Sequence, residues 1–141
     1  MYLKIIAAVL IVAFIGIQFI PAERTNPPVT GEIDAPAEVK EIFMRSCYDC
    51  HSNETVWPWY SYIAPASWLL AGDVGDGRAG LNFSEWNGYD EKSKQKKIKE
   101  TWEEVKEGAM PQVYYTIMHP EAKLSDADKE IIRKWSEGGG K

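Results

Sequence analysis

Cysteine is scarce in this 141-residue chain, which has only Cys47 and Cys50. A bridge between residues so close in sequence would close a very small loop, so a disulfide-dense mini-scaffold is excluded and a chemical use for the pair is expected. Basic residues are outnumbered, with 16 Lys and Arg against 21 Asp and Glu for a formal charge of −5. Without a surplus of cations to neutralise phosphates, a general nucleic-acid binder is excluded. Long alternating apolar and polar stretches, the mark of half-buried strands, are missing, and no internal repeat is present. What is there is 45% apolar and 12% aromatic, too rich in rings for a disordered tail, and one domain is the expectation at this length.

An almost unbroken apolar run from Ile5 to Ile20, interrupted by Gly16 and Gln18, follows Lys4 and ends at Pro21. It reads as an export signal or a membrane helix. Bulky Ile20, two positions before Ala22, spoils an Ala-x-Ala-like cleavage site. With its flanks, at about 20 residues, the run just crosses a bilayer core of roughly 30 Å. The expectation is therefore an uncleaved N-terminal transmembrane anchor over residues 1–21, in preference to a buried core helix. Lys4 and the amino terminus, set against the neutral Glu23-Arg24 pair, place the amino end in the cytoplasm. The rest then lies outside the cytoplasmic membrane, facing the periplasm or cell exterior. Residues 22–34, with Pro27-Pro28, read as an extended linker reaching on the order of 40 Å.

The head, residues 35–141, shows helical spacing. Val39, Ile42 and Phe43 follow Asp34 and Pro36, a cap and first-turn residue, and predict a helix running into Cys47. A second helix is expected from Pro65, carrying Trp68, Leu69 and Val74, before glycines 72, 75, 77 and 80 weaken it. A third runs from Asp90 to Glu107, with Ile98, Trp102 and Val105 on one stripe, and ends at Gly108. The last starts at Ser125, with Asp128 in a near capping-box position, and carries Ile131, Ile132 and Trp135. The fold class is an irregular small all-α domain.

Within it stands Cys47-Tyr48-Asp49-Cys50-His51. A Cys-x-x-Cys-His string is the attachment signature of c-type haem. On a helix, positions 47, 50 and 51 share a face. Two thiols can then add across vinyl groups on adjacent edges of a porphyrin while the next residue brings an imidazole nitrogen to the iron. The competing readings are weaker. A thioredoxin-like redox pair needs a βαβ setting that the pattern lacks, and a zinc site needs a fourth ligand, for which only His119 or a carboxylate remains. Spare cysteines, which would mispair during attachment, are absent.

The stretch Cys47 to Thr55, followed by Trp57-Pro-Trp-Tyr-Ser61, Ile63-Ala-Pro65, Ser67-Trp68, Gly77-Arg78, Asn82-Phe-Ser-Glu-Trp86, Met110-Pro111 and His119-Pro-Glu-Ala122, resembles the small bacterial haem-binding domain family. The resemblance covers about residues 34–137. It implies a monohaem c-type cytochrome with a cytochrome-c-like helical fold around one covalently attached haem, commonly membrane-anchored or exported, and says little about the physiological partner.

The sixth iron ligand separates the possible functions. Thioether sulfur gives a high-potential carrier, a second imidazole a lower potential, and an empty position opens the iron to peroxide or gases. Met1 precedes the anchor and Met44 lies on the proximal helix. Met110 is the first choice, because Pro111 extends the chain there and the pair resembles the Met-Pro ligand loop of many monohaem cytochromes. His119 is the alternative distal ligand, or else a propionate partner or a turn cap with Pro120. An open site or Met118 also stays in play.

Trp57, Trp59, Tyr60, Tyr62, Trp68 and Trp86 are expected as wall around the macrocycle, and Arg78 and Asn82 as propionate partners, with a surface ion pair equally open for Arg78. Lys92, Lys94, Lys96, Lys97 and Lys99 read as i, i+4 partners of the following glutamates in preference to a docking patch. The expected function is that of a membrane-anchored electron carrier, in preference to an enzyme, serving unidentified redox partner proteins. A haem peroxidase or gas sensor is the alternative.

Overall fold

The computed structural model describes residues 1–140. Among them the fold is all-helical, with seven α-helices. The first, α1 (Tyr2–Ile17), is apolar on every side and buries no residue. Its 16 residues rise about 24 Å, short of a bilayer core of roughly 30 Å. No helix among the described residues is long and apolar enough to cross a membrane. The expected transmembrane anchor, and with it the single-pass membrane placement with the head on the periplasmic side, is thereby corrected. The physical reason lies at Gln18, where the apolar run leaves the helix. Its side-chain amide donates to the Phe14 and Ala64 carbonyls, and its Oε1 accepts the Ala64 N–H. The helix stops there and is fastened to the head.

Residues 22–34 contain no helix and lie along the head. Arg24 Nη1 donates to the Ser61 carbonyl at 2.9 Å, Asn26 Nδ2 to the Thr55 carbonyl at 2.9 Å, and the Pro28 carbonyl accepts from Asn53 Nδ2. A parallel bridge pairs Gly31 with Glu85, and Ile33 is fully buried.

The head packs α2 (Ala37–Ser46), α5 (Glu91–Glu107) and α7 (Asp126–Glu137) around one apolar core. Val39, Ile42 and Phe43 of α2, Ile98 and Val105 of α5, and Ile132 and Trp135 of α7 meet Phe83 and Trp86 from the loop between α4 and α5. Helical spacing in the sequence placed these stripes correctly. Phe43 is the hinge of the packing, stacked on Phe83 at 4.9 Å and edge-on to Trp135 at 5.2 Å. The helix ends follow local chemistry. Asp90 caps α5 by accepting from Ser93 N, Gly108 closes it at φ 76°, and Ser125 and Asp128 form a complete capping box on α7. Asp34 does not cap α2, whose first flanking residue is Pro36.

Three further helices frame the functional region. The four-residue α3 (Tyr48–His51) follows Cys47, and the fifteen-residue α4 (Ala66–Gly80) continues through all four of its glycines. Its buried face is Ser67, Leu70 and Val74. The expected stripe differs by one position, since Leu69 is exposed. A short α6 (Val113–Met118) joins α5 to α7.

Candidate haem site

The backbone of α3 springs from the Cys47 carbonyl, which accepts from Cys50 N at 3.2 Å and His51 N at 2.9 Å. This turn brings both sulfurs and the imidazole to one side, and all three line a cavity of about 510 Å³. The volume lies in the range typical of ligand pockets. Its walls are α3, the glycine-rich flank of α4, the inner face of α5, the ring of Phe83, and the chain from Met110 to Gln112 with Tyr115.

His51 is held by α4. Its Nδ1 lies 3.0 Å from the carbonyl oxygens of both Gly77 and Leu81. Carbonyls only accept, so Nδ1 carries the proton and Nε2 keeps its lone pair. Burial lowers the His51 pKa, against the opposing pull of the two carbonyls, and favours that neutral ring. The close approach of α4 is possible only at glycine. A Cβ on Gly77 would stand 2.5 Å from the Cys50 carbonyl oxygen.

Both thiols are free. Burial, reinforced by the neighbouring Cys50, pushes Cys47 up to about 12, and burial together with Asp49 pushes Cys50 up to about 11. Redox-active pairs have the opposite environment, one that lowers a thiol pKa. Nor does a group of three or more metal-binding side chains suited to an ion occur among the described residues. The redox and zinc readings lose their physical basis.

The rim of the cavity is acidic. Asp73, Asp76, Glu100, Glu103 and Glu104 face it, against the single cation Lys97. Lys97 itself donates to the Gly80 carbonyl and lies over the Tyr89 ring. Elsewhere on α5 the lysines pair along the helix, Lys96 with Glu100 and Lys99 with Glu103.

The methionines separate cleanly. Met110 lines the cavity, whereas Met1, Met44 and Met118 are exposed. Glu104 O anchors the Met110 loop by accepting from Ala109 N and Met110 N, and the Met110-Pro111 bond is cis. His119 lies outside the cavity wall with both ring nitrogens engaged. Nε2 is 2.8 Å from the Tyr60 hydroxyl and Nδ1 is 3.1 Å from Glu121 Oε1.

The cavity suits a haem on three counts: two sulfurs three residues apart, an imidazole with an unprotonated nitrogen, and a methionine from a separate segment lining the same cavity. Ser46 adds a buried hydroxyl there that has no protein partner. A family profile described as Haem-binding domain matches residues 12–138. The chain belongs to that family. No curated protein and no solved structure matches this haem-binding domain.

The remaining residues singled out by sequence do not line this cavity. Trp57 and Trp68 are half-buried elsewhere, with the Trp68 indole N–H donating to the Ile20 carbonyl. Trp59 and Tyr62 are exposed, and Trp86 belongs to the main core against Tyr89. Arg78 does not line the cavity and forms no ion pair among the described residues. Its guanidinium donates to the Ser52 and Thr25 carbonyls, Asn26 Oδ1 and Thr55 Oγ1, tying α4 to the motif's exit and to the N-terminal segment. Asn82 is buried, bonded to Asn53 Oδ1 and accepting from Ser84 N. Aromatic wall is supplied instead by Phe83 and Tyr115. Phe83 and Gly77 stand in the stretches that resemble the family, but sequence reasoning gave neither of them, nor Tyr115, a role at the site. A glycine inside a helix next to the motif partner was the one available signal.

Proposed function

We propose that this haem-binding domain is a monohaem c-type cytochrome that passes single electrons between redox partner proteins. One haem would be held by thioethers to Cys47 and Cys50, with His51 Nε2 and the Met110 sulfur as the residues that would bind its iron. The observation that carries this reading is the convergence of Cys47, Cys50, His51 and Met110, from segments 59 residues apart at their nearest (51 to 110), on one cavity. Bound haem supplies a one-electron iron couple. The chain does the rest. Gly77 and Leu81 carbonyls fix the His51 tautomer and ring plane, Phe83 and Val105 exclude water, and the Glu104 carbonyl fastens the Met110 loop. A six-coordinate site leaves no position for a substrate and changes little on reduction.

The test is the full chain co-produced with a c-type haem maturation system. One haem mass should survive denaturation and stain on a gel, and Cys47→Ala with Cys50→Ala should lose it. The ferric spectrum should be low-spin with a sulfur-to-iron charge-transfer band that Met110→Ala abolishes. Haem that is extracted by denaturation overturns covalent attachment. High-spin ferric iron overturns Met110 ligation and moves the function to peroxide or gas chemistry.

A further inference from the structure

The segment that carries Met110 is weakly rooted. Helix α6, which follows it, has no buried residue, and Val113 and Ile117 are 68% and 71% exposed. Apolar packing therefore does little to hold it. Polar contacts do. Tyr115 lines the cavity and donates through its hydroxyl to Asp49 Oδ2 at 2.5 Å. Asp49 sits between the two cysteines of the attachment motif, and its other oxygen accepts Val56 N at 2.9 Å, which fixes the carboxylate. The ring of Tyr115 is stacked on His119 at 4.5 Å, and His119 is bonded in turn to Tyr60.

We infer that the Tyr115 phenol and the Asp49 carboxylate form a latch between the attachment motif and the Met110 loop, and that Tyr115 is the positioning residue that keeps Met110 on the cavity wall. The inference rests on the cytochrome reading for its spectroscopic consequence but not for its mechanical one. On the upstream side the loop is fixed by the Glu104 carbonyl. On the downstream side, the Tyr115–Asp49 bond joins it directly to the motif. His119 acquires a role by the same geometry, as the plate against which the Tyr115 ring rests.

Two measurements on the haem-loaded full chain test this. Tyr115→Phe keeps the ring and removes only the donor. Amide exchange over residues 110–118 should accelerate, and imidazole should displace the sixth ligand about tenfold faster, the weight of one hydrogen bond to a charged group. Asp49→Ala should match it. Asp49→Asn, which can turn its amide to Tyr115 while accepting Val56 N, should restore the slower exchange. Unchanged exchange and unchanged imidazole kinetics in Tyr115→Phe overturn the latch. Faster exchange spread evenly over the whole chain also overturns it, because the bond would then be a general support. If the parent protein lacks the sulfur band, the ligation reading fails, while the latch still stands or falls on exchange at 110–118.

Discussion

Gly77→Ala isolates the contact that positions the proximal histidine. The added Cβ would sit 2.5 Å from the Cys50 carbonyl oxygen, 3.1 Å from its carbon and 3.2 Å from its Cβ. Most of these atoms are backbone, so no side chain can swing aside. Reaching ordinary contact needs roughly 1 Å of separation between α3 and α4. That displacement carries the Gly77 carbonyl, now 3.0 Å from His51 Nδ1, beyond hydrogen-bonding range. Overpacking costs about 1–3 kcal/mol and the lost hydrogen bond about 1 kcal/mol. The helical preference of Ala over Gly offsets about 1 kcal/mol. The net expectation is a loss of about 1–3 kcal/mol. Gly75, two residues earlier on the same helix, supplies the control, for a Cβ there meets nothing within 4 Å. Gly75→Ala should gain up to about 1 kcal/mol. Urea titrations of the two variants, followed by circular dichroism, read the difference, and the haem midpoint potential should move only in Gly77→Ala. Equal stability of the two would refute the claim that α4 is seated on the motif through a glycine.

Phe43→Ala should cost about 3–5 kcal/mol in chemical unfolding, because it empties the column between Phe83 and Trp135. Arg78→Ala strips donors from two parts of the chain, Thr25-Asn26 and Ser52 with Thr55, and should cost about 1–3 kcal/mol, with faster proteolysis within residues 22–34. Ser125→Ala should lower stability by about 1 kcal/mol through its cap on α7. Asp128 carries the acid dependence of that cap. Partial burial pulls its pKa up, but the bonds from Ser125 and Arg45 win and hold it below its ordinary 3.8. A carboxylate lowered in the folded state stabilises above the unfolded value and loses that contribution as pH falls through the folded one. Asp128→Asn should therefore flatten the stability profile below about pH 4, and equal slopes for parent and variant in urea midpoints between pH 2 and 4 would contradict it.

The helices that sequence located carry their own boundary chemistry. Asp90 and Gly108 bracket α5, and Ser125 with Asp128 opens α7, so their limits are local properties. The attachment motif is equally local, and Met110, which lines the cavity, was singled out because its neighbour Pro111 marks a loop. What sequence could not show depends on distant partners. Helix α4 continues through its glycines because Gly77 must meet the backbone of Cys50, 27 positions away. Helix α6 lacks an apolar stripe facing the core and is held through tyrosine hydroxyls. The tryptophans after the motif were expected around the haem because they are close in sequence, but the turn at Pro58 and Pro65 carries Trp59 to the surface, and Trp86 is claimed by the core. The apolar run at the amino end misled through its length alone, since Gln18 closes the helix by bonding to Ala64.

The stretch from Glu23 to Asp34 works as a belt, not a spacer. It fills the core with Ile33, supplies acceptors to Arg78 and Asn53, and borders Ser84 through Thr30 and Gly31. A truncation that begins at residue 35 would strip the globule of a buried side chain and strand several donors. The Gln18 amide and the Ile20 carbonyl also hold partners in the head, so the smallest piece with a full set of them starts ahead of Gln18, and any shortened form should be cut there.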